Sequence, residues 1–205
     1  MHLIRTLTAA MTASFLLAGA ALAQQASTVP VTATTPRVLG SPDAPVEVIE
    51  YASLTCHHCA SFHNEVLPQV KKEFIDTGKV RLVYRDFPLD RVGLEAATMA
   101  RCLPPERYFP VLSLLFAKQD DWSHANDPIE PLARIGALAG LSRQAYDACR
   151  ADKALQDSIV QSRFEGEQKH GVDSTPSFVI GGKTLKGVLR FEEFKKTVEP
   201  LLPKS

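Results

Sequence analysis

Cys56-His57-His58-Cys59 places two thiols three positions apart with two imidazoles between them. A pair at that spacing can close into a disulfide, and the thiolate of either member is the nucleophile and leaving group of thiol–disulfide exchange. Position decides which sulfur does this. At the first turn of a helix the leading sulfur meets unpaired backbone N–H groups and the positive end of the helix dipole, and both favour its anion. Cys56 is then the exposed, low-pKa sulfur, and Cys59, one turn inward, is the buried resolving partner. His58, and His57 beside it, can add positive charge or a hydrogen bond to the Cys56 thiolate. A stabilised thiolate stabilises the dithiol, so the disulfide form of such a centre is an oxidant. Three other uses of the same residues stay open: a structural disulfide, a zinc site extended to His63 but with no further pair to complete four ligands, and copper binding by the thiol and imidazole cluster.

A strand must deliver this centre and a helix must polarise it. Val46 to Tyr51 is a β-branched, mostly apolar run of strand length, and Ala52 to Thr55 turns it into a helix with Thr55 as the expected N-cap. Phe62, Val66, Val70 and Phe74 recur every four residues and mark one buried helical face up to Thr77-Gly78, with a kink predicted at Pro68. Lys79 to Phe87 alternates apolar and basic residues as a second strand, completing a parallel βαβ unit. From Leu94 to about His170 the pattern is helical, with segments near 94–103, 105–118, 129–139, 142–149 and 151–169 separated by polar or proline-containing stretches. A hairpin follows, Ser177 to Ile180, Gly181-Gly182, then Thr184 to Val188, and an amphipathic helix from about Arg190 to Leu202 ends the chain. The order implies an α/β fold with a mixed central sheet flanked by helices and interrupted by an inserted helical subdomain. Glu50 shares a strand face with Val46 and Val48, which makes it a semi-buried carboxylate below Cys59 unless it is a solvent-facing strand end.

The 205 residues, 45% hydrophobic and 22% charged, suit one domain with an insertion. The 23 Lys and Arg balance 23 Asp and Glu, leaving no global field to draw in nucleic acid or an anionic bilayer. Four cysteines are too few for a disulfide-stapled mini-scaffold. Residues 1–23 read as an export signal, with Arg5, an apolar run from Leu7 to Leu22, and cleavage after Ala23. Residues 24–40 read as an extended tether and 41–205 as the folded domain, its helical insertion at about 90–170. Past the signal no stretch is long and apolar enough to span a bilayer, so the cysteines are expected to work in an exported, oxidising compartment.

Taken together, Val48-Ile49-Glu50-Tyr51 leading into Cys56-His57-His58-Cys59, the helical block after the βαβ unit, and Thr175-Pro176-Ser177-Phe178 opening the hairpin resemble the DsbA-like thiol:disulfide oxidoreductases of the bacterial periplasm, a branch of the thioredoxin superfamily. The resemblance spans roughly 40–205 and departs where His57 stands in place of the proline of the best-known members. It implies a thioredoxin-like fold and a periplasmic enzyme that introduces disulfides into exported, reduced proteins, without metal or organic cofactor. It also implies a quinone-linked membrane reoxidase of the DsbB type. Thr175-Pro176 takes the place of the family's cis-proline loop, which pairs with substrate backbone; His58 matches the position linked to thiolate stabilisation; Glu50 matches the acid that takes up the buried thiol's proton. Similar helical-domain cysteine pairs imply a structural disulfide between Cys102 and Cys149, 47 residues apart, with two buried thiols or a second redox pair as the alternatives. A disulfide isomerase or reductase of the DsbC or DsbG type is the nearest rival. Those proteins carry an N-terminal dimerisation module that residues 24–40 are too few to form, so a monomer is expected. His63, His124 and His170 read as surface or packing residues, and Trp122 as a loop aromatic covering the core edge or lining a substrate groove.

Overall fold

In the computed structural model, which describes residues 35–204, the run leading into the cysteine pair is the central strand of a five-stranded mixed sheet. The expected signal segment 1–23 and the first part of the expected tether lie outside the described residues. Strands β1 (Arg37–Leu39), β2 (Val46–Ala52), β3 (Val80–Asp86), β4 (Ser177–Ile180) and β5 (Lys183–Lys186) are arranged in the order β1-β3-β2-β4-β5. β2 and β3 are parallel, with Glu50 opposite Tyr84, while β1, β4 and β5 run antiparallel to their neighbours. β1 lies inside the expected tether. Three residues are too short to show a period of two, and this edge strand is held partly by Arg37, whose guanidinium lies 5.0 Å from the Tyr108 ring centre.

The helical stretch after β2 runs without a break from α1 (His57–Ser61) through a π-helical turn (Phe62–Val66) to α2 (Leu67–Val70) and a second π turn (Lys71–Ile75). Pro68 sits in the first turn of α2. There the preceding π turn, closed by the Leu67 N–H donating to the Phe62 carbonyl, widens the helix just before the residue that lacks an N–H. Phe62, Val70 and Phe74 pack with Val48, Leu82 and Phe178 of the sheet and with Phe194 and Val198 of α9 (Phe191–Val198). The last helix stops short of the expected Leu202 because Pro200 diverts the chain into a 3-10 turn, Glu199–Leu201.

The insertion comprises α3 (Arg91–Arg101), α4 (Pro105–Ala117), α5 (Gln119–Ser123), α6 (Ile129–Leu138), α7 (Arg143–Arg150) and α8 (Lys153–His170). The expected helices are present with ends moved by up to three residues; α3 begins early because the Asp90 carboxylate caps the Gly93 N–H at 2.7 Å. α5 replaces the start of an expected loop, and within it Trp122 is fully buried, donating its indole N–H to the Leu115 carbonyl at 3.0 Å. It neither covers an edge nor lines a groove. α8 crosses the other face of the sheet at Gly166, where an added Cβ would lie 2.7 Å from the Tyr51 ring, so only glycine permits that approach. The apolar cluster of the insertion, built on Met99, Leu112, Leu115, Phe116 and Leu132, also takes in Cys56 and Cys59. The helical subdomain thus forms one wall of the cysteine site.

A disulfide joins Cys102, at the end of α3, to Cys149 in α7. Closing a 47-residue separation restricts the unfolded chain by up to about 4 kcal/mol. Replacing both cysteines by serine is expected to lower the free energy of unfolding by about 2–4 kcal/mol, read as a lower urea midpoint. The Cys56 titration should stay where it is, because neither residue touches that sulfur.

Candidate active site

The site forms where β2 runs out. Ser53 to Thr55 make a tight turn, the Cys56 N–H donating to the Ser53 carbonyl at 3.1 Å, and Cys56 itself, not Thr55, is the N-cap of α1, with extended backbone angles of φ −84° and ψ 117°. Thr55 is occupied elsewhere: its hydroxyl donates to Asp90 at 2.7 Å. Two other segments fix the turn. Gln119, buried on α5, donates from one amide nitrogen to the carbonyls of Leu54 and Cys56 at 2.7 and 3.1 Å. The Thr175–Pro176 peptide bond is cis and brings the Thr175 carbonyl 3.3 Å from the Cys56 sulfur.

The two thiols are free but chemically unequal. The Cys56 pKa is lowered to about 5, first by the hydrogen bond from the Cys59 thiol; burial opposes this, and Thr175 and the backbone N–H groups of Cys59 and His58 reinforce it. As a thiol, Cys56 donates to the Thr175 carbonyl. As a thiolate it is favoured by the Thr175 hydroxyl, which is buried without another partner. Cys56 retains 9% of its surface exposed and Cys59 none. Burial, the hydrogen bond to Cys56 and the Cys56 and Glu50 charges push the Cys59 thiol well up.

The imidazoles between the cysteines stand differently from the sequence expectation. His57 and His58 both point to solvent, and the contribution of His58 to the Cys56 thiolate comes through its backbone N–H. His57 stacks on His124 of the segment after α5, ring centres 5.6 Å apart, so His124 is a neighbour of the site. Glu50 is fully buried and its carboxylate lies 3.0 and 3.1 Å from His63 Nε2. Of the two readings of His63, surface or packing residue, the structure bears out packing and adds the pairing with Glu50 that sequence reasoning missed. Its signal was available: Cys59 and His63 are four apart, hence on one face of the helix, and that face looks at the strand bearing Glu50. Gln119 gave no such signal, since a glutamine in a polar stretch has no periodic mark. His170, at the end of α8, lies against Tyr51 at 5.9 Å between ring centres, on the opposite sheet face. Among the described residues, no group of three or more His, Cys, Asp or Glu side chains is gathered as a metal site.

A family model described as thioredoxin matches residues 32–200. A Rickettsia conorii protein provisionally named a protein-disulfide oxidoreductase is 37% identical over 147 residues, covering 71% of this chain and 53% of that protein. Disulfide bond formation protein D of Bacillus subtilis is 27% identical over 169 residues, covering 79% and 75%. The crystal structure of Wolbachia pipientis alpha-DsbA1 superposes with a TM-score of 0.76 at 36% identity, covering 82% of this chain and 90% of that one. The match to the Rickettsia relatives spans about half of their length.

Proposed function

The chain belongs to the DsbA-like thiol:disulfide oxidoreductases of the thioredoxin superfamily, and from that premise we propose that it introduces disulfide bonds into exported proteins through Cys56 and Cys59. The observation that carries the reading is the Cys56 sulfur, held as a thiolate down to about pH 5 at the mouth of α1 and against the Thr175–Pro176 loop. Stabilising the thiolate stabilises the reduced enzyme. Relative to an ordinary thiol this amounts to about 2 kcal/mol at pH 7 after allowance for the solvent-facing side of the site, or roughly 40 mV toward a more oxidising couple.

In the oxidised enzyme a substrate thiolate attacks the Cys56 sulfur in line with the Cys56–Cys59 bond. A substrate–Cys56 disulfide forms, the enzyme's own bond breaks, and its electron pair leaves on Cys59. Glu50 supports protonation of that buried sulfur. A second substrate thiolate then attacks the substrate sulfur and expels Cys56 as its stabilised anion, so the substrate keeps the disulfide and the enzyme keeps two electrons. A substrate strand laid along the Thr175–Pro176 loop would place its cysteine beside the Cys56 sulfur, which the Thr175 carbonyl approaches to 3.3 Å. Reoxidation by a quinone-linked membrane protein of the DsbB type, and a periplasmic setting following an export signal, complete the proposal. No step needs a metal or organic cofactor.

The test is equilibration of the protein against glutathione buffers, paired with oxidative refolding of a reduced model protein. The reading expects a couple more oxidising than the glutathione pool and catalysed appearance of substrate disulfides. A couple far more reducing than glutathione would overturn it in favour of a reductase, and stoichiometric Cu(I) capture without thiol exchange would overturn it in favour of a metal-binding role.

A further inference from the structure

The exchange steps leave one buried group without a task. His63 fills its place in the core so completely that only 1% of its side chain is exposed, beside a Glu50 side chain with none. Phe116 stacks on the imidazole at 4.2 Å between ring centres, and Phe62 and Tyr84 meet it at 5.7 and 5.9 Å. An isolated carboxylate in such surroundings is strongly disfavoured, and among the described residues His63 Nε2, close to both of its oxygens, is the group that meets it. Cys59 and His63 share one helix face, so the resolving sulfur and the imidazole approach Glu50 from the same side, and the Glu50 charge reaches the Cys59 sulfur.

The other elements packed here offer no alternative proton store. On β3, Tyr84 stands opposite Glu50 in register, and burial pushes its phenol well up, so it stays protonated. Behind it lie Tyr108, likewise pushed up by burial, and Asp86, whose charge is met by Arg101. β4 contributes only Phe178 opposite Glu50. Among the described residues, the proton that Cys59 needs when it leaves therefore has one nearby source, the hydrogen bond between Glu50 and His63.

We propose that His63 is a positioning residue for this internal proton transfer: it orients Glu50 and shares with it the proton that Cys59 takes up. The proposal rests on the exchange reading and deepens it. As the Cys56–Cys59 bond breaks and its electron pair moves to Cys59, the shared proton passes through the Glu50 carboxyl to that sulfur, leaving a Glu50 carboxylate beside a neutral His63. On reoxidation the Cys59 thiol returns the proton to the pair as its sulfur re-forms the bond to Cys56.

The experiment measures the rate at which reduced glutathione opens the oxidised enzyme across pH 4 to 9, for the wild type and for His63→Gln, which can still donate to Glu50 but cannot carry the extra proton. The variant should react roughly tenfold more slowly at pH 7, less than the hundredfold or more typical of losing a general acid outright, and its pH profile should flatten. Its Cys56 thiolate should still titrate near 5, because the leading causes of that shift are Cys59, Thr175 and the backbone N–H groups of Cys59 and His58. Glu50→Gln should lose at least as much, and the double variant no more than the worse single one. Superimposable pH profiles, or a Cys56 titration that moves along with the rate, would overturn the proposal. Should either variant fail to fold, nitrogen NMR of the wild-type histidines decides: the His63 signals should change between oxidised and reduced protein at one pH, and identical signals refute the shared proton. A wild type with no exchange activity defeats the parent reading as well, whereas an active wild type with unresponsive His63 defeats this inference alone.

Discussion

Cys56→Ser is expected to reduce disulfide transfer to the uncatalysed background, whereas Cys59→Ala should leave a protein that still attacks disulfides through Cys56 but cannot finish. The difference follows from exposure. Cys56 offers the only part of the pair that a substrate sulfur can reach, and its thiolate is the good leaving group, so serine removes both nucleophile and leaving group. In Cys59→Ala the mixed disulfide formed when the Cys56 thiolate attacks a protein disulfide has no resolving thiol below it, and covalent adducts with disulfide-containing proteins should accumulate and survive non-reducing electrophoresis. A second effect separates this centre from a generic thiol pair. The largest influence holding the Cys56 pKa at about 5 is the hydrogen bond from the Cys59 thiol, so Cys59→Ala should move the thiolate absorbance midpoint upward. Cys59→Ser, which keeps a hydroxyl donor, should move it less. Retention of catalysed transfer by Cys56→Ser, or equal midpoints in both Cys59 variants, would show that the chemistry does not run through this sulfur as described.

These outcomes depend on features that the sequence discloses unequally. The strand, the thiol pair and the helix behind it were legible because each has a period or a fixed spacing: alternation over Val46 to Tyr51, the four-residue recurrence of Phe62, Val66, Val70 and Phe74, and two cysteines one turn apart. The fold class and the family resemblance follow from that order of elements, and both hold. What stayed hidden is contact at long range. Gln119 reaches the carbonyls on either side of Thr55 across more than 60 residues, and nothing local to a glutamine forecasts such a partner. The partner of Glu50 was half visible, since His63 sits at the right helical spacing from Cys59 but needed the strand opposite it to acquire meaning. The imidazoles of His57 and His58 misled in the other direction. Their type suggested side-chain charge acting on the sulfur, while the structure turns both outward and lets the backbone of His58 act instead. Adjacency in sequence placed the residues correctly and left the side-chain directions open.

The same depressed pKa ties redox state to stability, and the sign can be worked out in advance. In the folded dithiol Cys56 titrates at about 5, and in the unfolded chain at about 8.5. A group lowered on folding adds stability that is complete above the unfolded value, partial at pH 7, and lost as pH falls through 5. The disulfide form has no such thiol. Closing the four-residue Cys56–Cys59 loop favours the oxidised fold by about 2 kcal/mol in the chain-entropy model, but that contribution does not vary with pH, and groups far from the pair titrate alike in both forms. The difference in melting temperature, reduced minus oxidised, should therefore rise between pH 5 and pH 7 by the equivalent of about 2 kcal/mol, or about 4–8 °C for a chain of this size. Scanning calorimetry of both forms at matched pH, with the reduced form kept under a non-thiol reductant, reads it directly. A difference that stays flat from pH 5 to pH 8 would mean that the thiolate gains nothing from the fold, and the driving force proposed for disulfide donation would go with it.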